Sequence, residues 1–474
     1  MRTHDLIVLG GGPAGAHAAI MGAELGLDVL LIDENDAIGG QVWRAPSTAL
    51  AEAPSGHEAK KGLALRSRLA GSAVSCWLGR RVWLVERGFT VCAIGPDGTE
   101  RARARALIAA TGAIERHLPV PGWVLPGVMG LAAATVLLKS ARVLPGQRVV
   151  VAGAGPLLPL VASAILAGGG KVAAIIDANR TGAWLASGAD LLARPDLFLR
   201  GAGWIARVRS AGVPWHSGYA IRRIDGKDSV GEVHVGRVSA EWEPSPGPEL
   251  TFGCDAVCMG FGLIPSTDIV RLLGAAHSWT PALGGWVPVT GVDQTTSIER
   301  LYACGDGAGV LGAASAPLGG MIAALAAARD LDRIGIAEFE RRTRMLRKKF
   351  EQASRFGRAM ARLTAPRSGA ASAIAKEAEV CRCEGLTRAV IDQAIADGAV
   401  TVNDLKAATR CGMGPCGGRI CEDAAQLLIA AATGQDRAEI QLATSRPPLR
   451  PVTIGALGGP FDYASLPMAE PAPL

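Results

Sequence analysis

The chain has 474 residues, of which 49% are hydrophobic and 4% aromatic, and its 61 glycines suit α/β folds with many tight turns. This length allows about three domains with sizeable cores. The net charge of +6 is not concentrated in a recognition motif. The densest basic run, RRTRMLRKKF at 341–350, has helical spacing, so we interpret it as a solvated helix face and expect no nucleic-acid partner.

Two apolar stretches resemble targeting or membrane segments only superficially. The N-terminus lacks a cleavage-type segment, and its glycines stand where a βαβ unit needs them. GAGP and GGGK turns divide the stretch at 149–176 into strand, helix and strand. We therefore expect neither a signal peptide nor a transmembrane segment. Ten cysteines without a secretory signal fit metal ligation in a reducing compartment, which predicts a cytoplasmic protein.

A dinucleotide fingerprint, LIVLGGGPAG, contains the first predicted strand. Its glycines permit a tight turn, close approach of a pyrophosphate, and close helix–strand packing; they are Gly10, Gly12 and Gly15. Pro13 and Ala14 begin a helix whose free N–H groups and dipole stabilise phosphate. Asp33 ends the next strand with the spacing of a ribose-binding acid, and the neighbouring Glu34 is the alternative.

The same strand–turn–helix–strand layout returns at 147–177, an internal duplication at the level of the fold. This second fingerprint is damaged, because Leu158 replaces the third glycine and Pro156 and Pro159 crowd the first helical turn. Asp177 ends the following strand and disfavours a 2′-phosphate. We expect this site to hold a nucleotide only structurally, or to hold none.

Two further glycine-containing segments carry a family resemblance. ATG at 110–112 and YACGDGAG at 302–309 resemble flavin-contacting segments of the glutathione-reductase-like flavoproteins, which have two dinucleotide-binding domains. The resemblance implies an α/β fold with two Rossmann-like domains and FAD in the first. Asp306 would bind the ribitol, and a helix from about Gly319 would point at the isoalloxazine. The cofactor-binding residues predicted beyond the fingerprint are Gly40, Gln41, Thr111, Gly112, Gly305 and Asp306.

Disulfide reductases of this class carry a redox cysteine pair after the GG that follows the second strand, or a CxxC in the second domain. Here the first place reads GGQVWRAPS, without a cysteine. Cys254 and Cys258 are four residues apart, so we expect both on one face of a buried strand. Thiol–disulfide chemistry is therefore not expected.

A cysteine module lies near the C-terminus, with VCRCEG followed by TRCGMGPCGGRIC. Residues 380–430 resemble the bacterioferritin-associated-ferredoxin-like [2Fe–2S] domain, which is small and helical. The resemblance implies four thiolate ligands, and we predict that they are Cys381, Cys383, Cys416 and Cys421. Cys411 is the alternative fourth ligand. A tetrahedral zinc site is the alternative to the cluster, because four thiolates also suit Zn²⁺.

Two features near these cysteines fit an anionic cluster. Gly417 and Gly418 are expected to open a helix whose N–H groups reach the cluster sulfurs. Three nearby arginines are expected to offset the cluster charge; they are Arg382, Arg410 and Arg419.

The whole arrangement resembles the alpha subunits of multi-subunit bacterial amine and imino-acid dehydrogenases. That family includes D-hydroxyproline dehydrogenase, opine oxidase, dye-linked L-proline dehydrogenase and hydrogen cyanide synthase. GGQVWRAP, GMGPCGGRIC and the LRPVTIGAL tail carry the resemblance. It implies that an FAD-bearing beta subunit oxidises a small amine or imino acid, while this chain relays electrons through flavin and a [2Fe–2S] cluster. It further implies FMN at a subunit interface and a small ferredoxin-like gamma subunit. No catalytic residue is predicted in this chain.

Two other functions stay open at this point. One is a self-sufficient NAD(P)H-dependent flavin and iron–sulfur oxidoreductase, and the other is a scaffold with vestigial sites. The first fingerprint itself suits FAD, NAD or ATP. The predicted domains are a first dinucleotide-binding domain at 1–122 and 270–330, a second at 123–269, a helical connector at 331–374, the [2Fe–2S] domain at 375–435 and an extended tail at 436–474.

Overall fold

The computed structural model of the chain describes residues 1–47, 57–96, 98–186, 190 and 192–458. The strands in these ranges are β1 (Arg2–Leu9), β2 (Val29–Ile32), β3 (Ser75–Trp77), β4 (Arg81–Val85), β5 (Thr90–Gly95), β6 (Gly98–Ala109), β7 (Ala113–Glu115), β8 (Val128–Gly130), β9 (Arg148–Gly153), β10 (Lys171–Asp177), β11 (Trp215–Ser217), β12 (Tyr219–Asp225), β13 (Glu232–Arg237), β14 (Leu250–Gly253), β15 (Ala256–Gly260), β16 (Leu263–Pro265), β17 (His277–Thr280), β18 (Gly285–Pro288), β19 (Leu301–Ala303), β20 (Glu379–Cys381) and β21 (Leu386–Thr387).

The helices in the same ranges are α1 (Pro13–Glu24), α2 (His57–Ala70), α3 (Leu131–Val136), α4 (Leu157–Ala167), α5 (Thr181–Ala186), α6 (Pro195–Ser210), α7 (Asp268–Leu272), α8 (Ala316–Asp330), α9 (Ile336–Thr364), α10 (Arg388–Ala396), α11 (Val402–Thr409), α12 (Glu422–Thr433) and α13 (Ile454–Gly458). None of the helices in the described ranges combines the length and the apolarity needed to cross a membrane.

The first sheet has the strand order β3-β2-β1-β6-β5-β4, and β19 also pairs with β6. Its central strands are apolar on both faces because helices and strands cover both sides. Leu6 and Val8 pack into one core cluster with α1 and α8, whereas Ile7 and Leu9 pack into another. Since β19 follows the second domain in the chain yet joins this sheet, its pairing supports the proposed discontinuous first domain.

The second sheet has the order β11-β10-β9-β15-β8, and its four strand pairings are parallel. A smaller antiparallel sheet of β12, β13 and β14 accompanies it. Two dinucleotide-type βαβ units are therefore present, and the predicted fold class is confirmed. Cys254 and Cys258 are both buried but lie in different core clusters. The prediction of one shared face was wrong, because Cys254 precedes β15 and is not subject to its alternation.

The cysteine module packs directly against the second domain. One continuous core cluster includes Val150 and Met259 of the second sheet together with Val380, Leu405 and Leu428 of the module. The Trp123 indole N–H also donates to the Glu379 carbonyl at 2.8 Å. The module is helical, as predicted, but Gly417 and Gly418 form a turn with φ of 62° and 82°. The expected helix begins only after that turn, in α12, because both glycines adopt the left-handed conformation.

The tail lies against the first domain as far as residue 458. The Leu449 backbone N–H donates to the Trp83 carbonyl at 2.8 Å, and the Thr99 hydroxyl donates to the Ala456 carbonyl at 2.5 Å. RPPLRP and LRPVTIGAL are therefore docked segments, whereas PMAEPAPL lies outside the described residues.

Candidate functional site

The first fingerprint has the backbone geometry that its glycines predict. Gly10 has a φ of 102°, and a Cβ there would lie 2.3 Å from the Ala110 carbonyl oxygen. A Cβ on Gly15 would lie 1.9 Å from the Gly10 carbonyl oxygen, so the α1–β1 contact requires glycine. A Cβ on Gly12, by contrast, would have the Gly40 Cα, at 3.9 Å, as its nearest neighbour. The space beside Gly12 suits a pyrophosphate that approaches the backbone.

The start of α1 suits an anion. Gly12 is the N-cap and has no side chain with which to cap the helix, and Pro13 and Ala14 open a first turn without an acidic residue. Backbone N–H groups at this end can therefore donate to phosphate oxygens, and the helix dipole favours negative charge there. A dinucleotide fits this cradle.

The two candidate ribose-binding acids have different surroundings. Asp33 is 8% exposed, and its Oδ2 accepts from the Gly11 N–H at 2.5 Å. Its Oδ1 accepts from the backbone and side-chain nitrogens of Asn35 at 2.7 and 2.8 Å. Glu34 instead lies 3.6 Å from Arg81 in an exposed ion pair. The fingerprint thus holds Asp33 beside the cradle, where a carboxylate retains lone pairs for ribose hydroxyls.

The other predicted contact segments converge on the same cradle. A Cβ on Gly40 would lie 2.9 Å from the Gly12 Cα, and the next residue, Gln41, accepts from Arg44 at 2.9 Å. A Cβ on Gly305 would lie 2.7 Å from the Ala14 Cβ. The GG turn after β2 and the loop after β19 therefore both meet the start of α1.

Asp306 is fixed by the loop that follows it. Its Oδ1 accepts from the backbone N–H groups of Leu311 at 3.0 Å and Gly312 at 2.8 Å. Burial raises the pKa of Asp306, and these two hydrogen bonds oppose that rise. A Cβ on the adjacent Gly307 would lie 2.8 Å from the Thr111 hydroxyl and 3.2 Å from the Gly112 nitrogen. The ATG and GDG segments are therefore in contact.

The second fingerprint is covered by the end of α9. A Cβ on Gly155 would lie 2.2 Å from Thr364 Cγ2, and a Cβ on Gly262 would lie 2.3 Å from Thr364 Oγ1. The Asn179 side-chain amide donates to the Leu363 carbonyl at 2.9 Å. The connector therefore occupies the place from which a nucleotide would approach Gly155.

The cysteine module gathers five thiols. The Sγ atoms of Cys381, Cys411 and Cys421 all lie within 4.8 Å of one another, and all three residues are buried. Cys383 is exposed, and burial together with the neighbouring Cys416 side chain raises the pKa of its thiol. The structure thus places Cys381 with Cys421, and Cys383 with Cys416, as two parts of the predicted ligand set. It also brings Cys411 to the first pair, so the choice between Cys421 and Cys411 as the fourth ligand remains a prediction.

The thiol chemistry suits a cluster. Hydrogen bonds from Cys411 and then Cys421 lower the pKa of Cys381, and the hydrogen bond to Cys381 raises the pKa of Cys411 and of Cys421. Of these three coupled thiols, Cys381 is therefore the one held as the thiolate, the form that binds metal. The five thiols supply enough donors for the four thiolates of a [2Fe–2S] cluster. All ten cysteines, each in the described part of the chain, are free.

Arg116 is a residue that the sequence did not single out. It is 2% exposed, and its guanidinium donates to the Phe261, Gly284 and Thr364 carbonyls and to the Asp423 carboxylate. One side chain therefore joins the segment after β7, the second domain, the connector and the cysteine module. Arg116 directly follows ATGAIE, but its partners are distant in the sequence, so the motif alone does not reveal its role.

Comparisons with known proteins agree with this geometry. Residues 4–330 match the family described as pyridine nucleotide-disulphide oxidoreductase, and residues 379–431 match the BFD-like [2Fe-2S] binding domain. An opine oxidase subunit from Agrobacterium tumefaciens (strain Ach5) is 33% identical over 473 residues, covering 96% of this chain and 91% of that protein. The HcnB subunit of hydrogen cyanide synthase from Pseudomonas aeruginosa is 31% identical over 473 residues, covering 95% and 97%.

A solved structure supports the fold. The crystal structure of L-proline dehydrogenase from P. horikoshii has a TM-score of 0.68 and 19% identity, covering 96% of this chain and 79% of that one. The chain therefore belongs to the pyridine nucleotide-disulphide oxidoreductase family, in the group that contains these subunits of opine oxidase and hydrogen cyanide synthase, and it carries a BFD-like [2Fe–2S] domain.

Proposed function

We propose that the chain is the electron-transferring alpha subunit of a flavin-dependent dehydrogenase for amines or imino acids such as hydroxyproline, proline or an opine. A catalytic FAD-bearing beta subunit would oxidise the substrate. This chain would receive the electrons at a flavin and pass them to its [2Fe–2S] cluster. Bound flavin and cluster supply the electron chemistry, and the chain's residues hold them in place.

The contact of Thr364 with Gly155 and Gly262 is the observation that carries this proposal. It covers the site at which a family member would bind NAD(P)H, whereas the cradle at Gly12 has room for a dinucleotide. Electrons would therefore enter from a partner and not from NAD(P)H bound in the second domain. A self-sufficient NAD(P)H-dependent oxidoreductase is the alternative that this contact disfavours.

Two further points support the proposal. The relatives from opine oxidase and hydrogen cyanide synthase are both named as subunits, which supports partner subunits for this chain. Ten free cysteines fit the reducing cytoplasm. The proposal includes a small ferredoxin-like gamma subunit, FMN at the interface with the beta subunit, and FAD at the first fingerprint, where ATP or NAD would use the same cradle.

The test is reconstitution. The chain expressed alone should not reduce an artificial dye with proline-like or opine substrates, and activity should appear once its co-purifying flavoprotein partner is supplied. NADH should drive no dye reduction in either preparation. Cofactor extraction with mass spectrometry would identify the nucleotide. Strong amine-dependent dye reduction by the chain alone, or NADH-driven reduction, would show that the proposal is wrong.

A further inference from the structure

Asp268 begins α7 immediately beyond a loop that is bonded to the first dinucleotide site. In that loop the Ser266 N–H donates to the Gly112 carbonyl at 2.9 Å. The Thr111 hydroxyl donates in turn to the Ser266 carbonyl at 2.6 Å. Because Thr111 and Gly112 are predicted to contact the dinucleotide, the position of Asp268 is tied to that site.

Arg419 lies on the other side of this contact, between Cys416 and Cys421. Its Nη1 donates to the Cys416 carbonyl at 2.6 Å, while its Nη2 donates to the Asp268 carboxylate. The side chains of Arg419 and Asp268 are only 15% and 14% exposed. Charge-assisted hydrogen bonds are strong and directional, so this pair joins the cluster loop to the dinucleotide side with little freedom.

A second set of ion pairs connects the same two parts of the molecule. Arg271 pairs with Asp268 at 3.3 Å and with Glu422 at 3.3 Å, and Glu422 directly follows Cys421. Arg450 of the tail also lies 3.3 Å from Asp268. A single carboxylate thus receives three arginines, and two of these lead to residues at or beside predicted cluster ligands.

We infer that Asp268 and Arg419 are positioning residues that hold the cluster loop at a fixed distance from the flavin and so set the rate of electron exchange between them. This inference rests on the proposed function. In each exchange one electron leaves the flavin and one enters the cluster, and no bond forms or breaks between them. Both residues act through the backbone segments that they hold.

Asp268 and Arg419 carry opposite charges, so removing either charge should shift the cluster potential in opposite directions. Asp268→Asn removes a negative charge near the cluster, so the added electron is better stabilised and the cluster potential should rise. Arg419→Gln removes a positive charge, so the potential should fall. Arg419→Lys retains the positive charge, but its single ammonium group cannot reproduce the two separate donor nitrogens of the guanidinium. It should leave the potential nearly unchanged while slowing the exchange.

The experiment uses the full-length chain. EPR-monitored redox titration gives the cluster potential, and flash photoreduction of the flavin gives the rate of cluster reduction. We expect a several-fold slower exchange in Asp268→Asn, Arg419→Gln and Arg419→Lys, with the stated changes in potential. Asp392→Asn is the control, because Asp392 pairs with Arg388 at 3.1 Å on α10 of the [2Fe–2S] domain and neither residue contacts the Asp268–Arg419 pair.

The outcomes separate this inference from the proposed function. Potentials and rates in the three variants that match the Asp392→Asn control would overturn the inference while leaving the proposed function intact. An unmodified chain whose first site holds ATP or NAD would overturn the inference alone, and an unmodified chain that carries no iron would refute both. If Asp268→Asn loses its iron, the conservative Arg419→Lys variant decides the test. An unchanged rate of cluster reduction in that variant contradicts the inference. A slower rate at an unchanged cluster potential supports it.

Discussion

Gly12 and Gly15 belong to one fingerprint but have different surroundings. A Cβ on Gly15 would collide with the Gly10 carbonyl, so that glycine maintains the packing of helix against strand. A Cβ on Gly12 would meet its nearest neighbour only at 3.9 Å. Substitution at Gly12 therefore tests ligand binding, whereas substitution at Gly15 tests folding.

Gly12→Val should remove the bound dinucleotide and leave the cluster in place, because the valine side chain would occupy the space beside the backbone N–H groups. The loss of the N-cap glycine should cost only about 1 kcal/mol of stability. Nucleotide content of the purified variant, measured after acid extraction, checks this result.

Gly201→Val is the control for Gly12→Val, since a Cβ on Gly201 in α6 would meet nothing within 4 Å. It should retain the nucleotide. Equal nucleotide content in the Gly12→Val and Gly201→Val proteins would rule out this cradle as the binding site.

The five cysteines of the module give a ranked prediction. Cys381→Ser, Cys383→Ser, Cys416→Ser and Cys421→Ser should each abolish or strongly reduce the visible absorption of the cluster, because a [2Fe–2S] centre needs four ligands. Cys411→Ser should leave the absorption nearly intact. Iron and sulfide assays with EPR of the reduced proteins provide the measurement.

Cys76→Ser serves as the control for this series, since Cys76 is exposed on β3, outside the module. If Cys411→Ser loses iron while Cys421→Ser retains it, the predicted ligand set is wrong by one residue. Stoichiometric zinc in place of iron would contradict the electron-transfer function itself.

At the scale of elements, α9 does more than connect two domains. It was predicted as a charged helical connector, and its 29 residues run from Ile336 to Thr364. Its last residue packs onto Gly155, where φ is 94°. The connector therefore packs against the second fingerprint, although its own sequence gives no reason to associate the two.

Gly155→Ala should destabilise the protein in two separable ways. The left-handed conformation costs about 1–2 kcal/mol for alanine. The clash with Thr364 should cost about 1–3 kcal/mol more. A double-mutant cycle with Thr364→Gly, followed by chemical denaturation, measures the second contribution as a coupling energy.

Gly169→Ala is the control for this cycle. Gly169 has a φ of 84°, but a Cβ there would meet nothing within 4 Å. It should show the conformational cost and no coupling to Thr364→Gly. A Gly155–Thr364 coupling energy as small as that of the control would contradict the contact, and with it the proposal that the connector covers the second fingerprint.

At the scale of the whole molecule, a buried ion pair joins distant segments. Arg116 lies 3.0 Å from Asp423, and the two side chains are 2% and 8% exposed. Asp423 also pairs with Arg437 at 2.8 Å. The pair fixes the cysteine module against the segment that follows β7.

Arg116→Met should destabilise the protein by about 3–5 kcal/mol, because it leaves a buried carboxylate with one partner fewer. The cysteine module should also become easier to release by limited proteolysis. Arg410→Met is the control, since the Arg410–Glu384 pair is at the surface, with Arg410 68% exposed, and should cost no more than about 1 kcal/mol. Equal effects of the two substitutions would contradict the role of Arg116.

The sequence by itself determined the features that depend on local spacing. The fingerprint at Gly10, Gly12 and Gly15, the second βαβ unit and the cysteine module are short patterns with a physical reason for each position. The fold class followed from them and is confirmed. Glycine and cysteine are informative in this way because few other residues tolerate a positive φ or supply a thiolate.

Only the tertiary structure decided which distant residues meet. Thr364 reaches Gly155, Asp268 reaches Arg419, and Arg116 meets Asp423 across 307 residues of sequence. The turn at Gly417 and Gly418 and the separate burial of Cys254 and Cys258 were likewise not predictable from spacing. Such contacts depend on how the domains pack, and a local pattern records the type of a side chain but not the partner that packing brings to it.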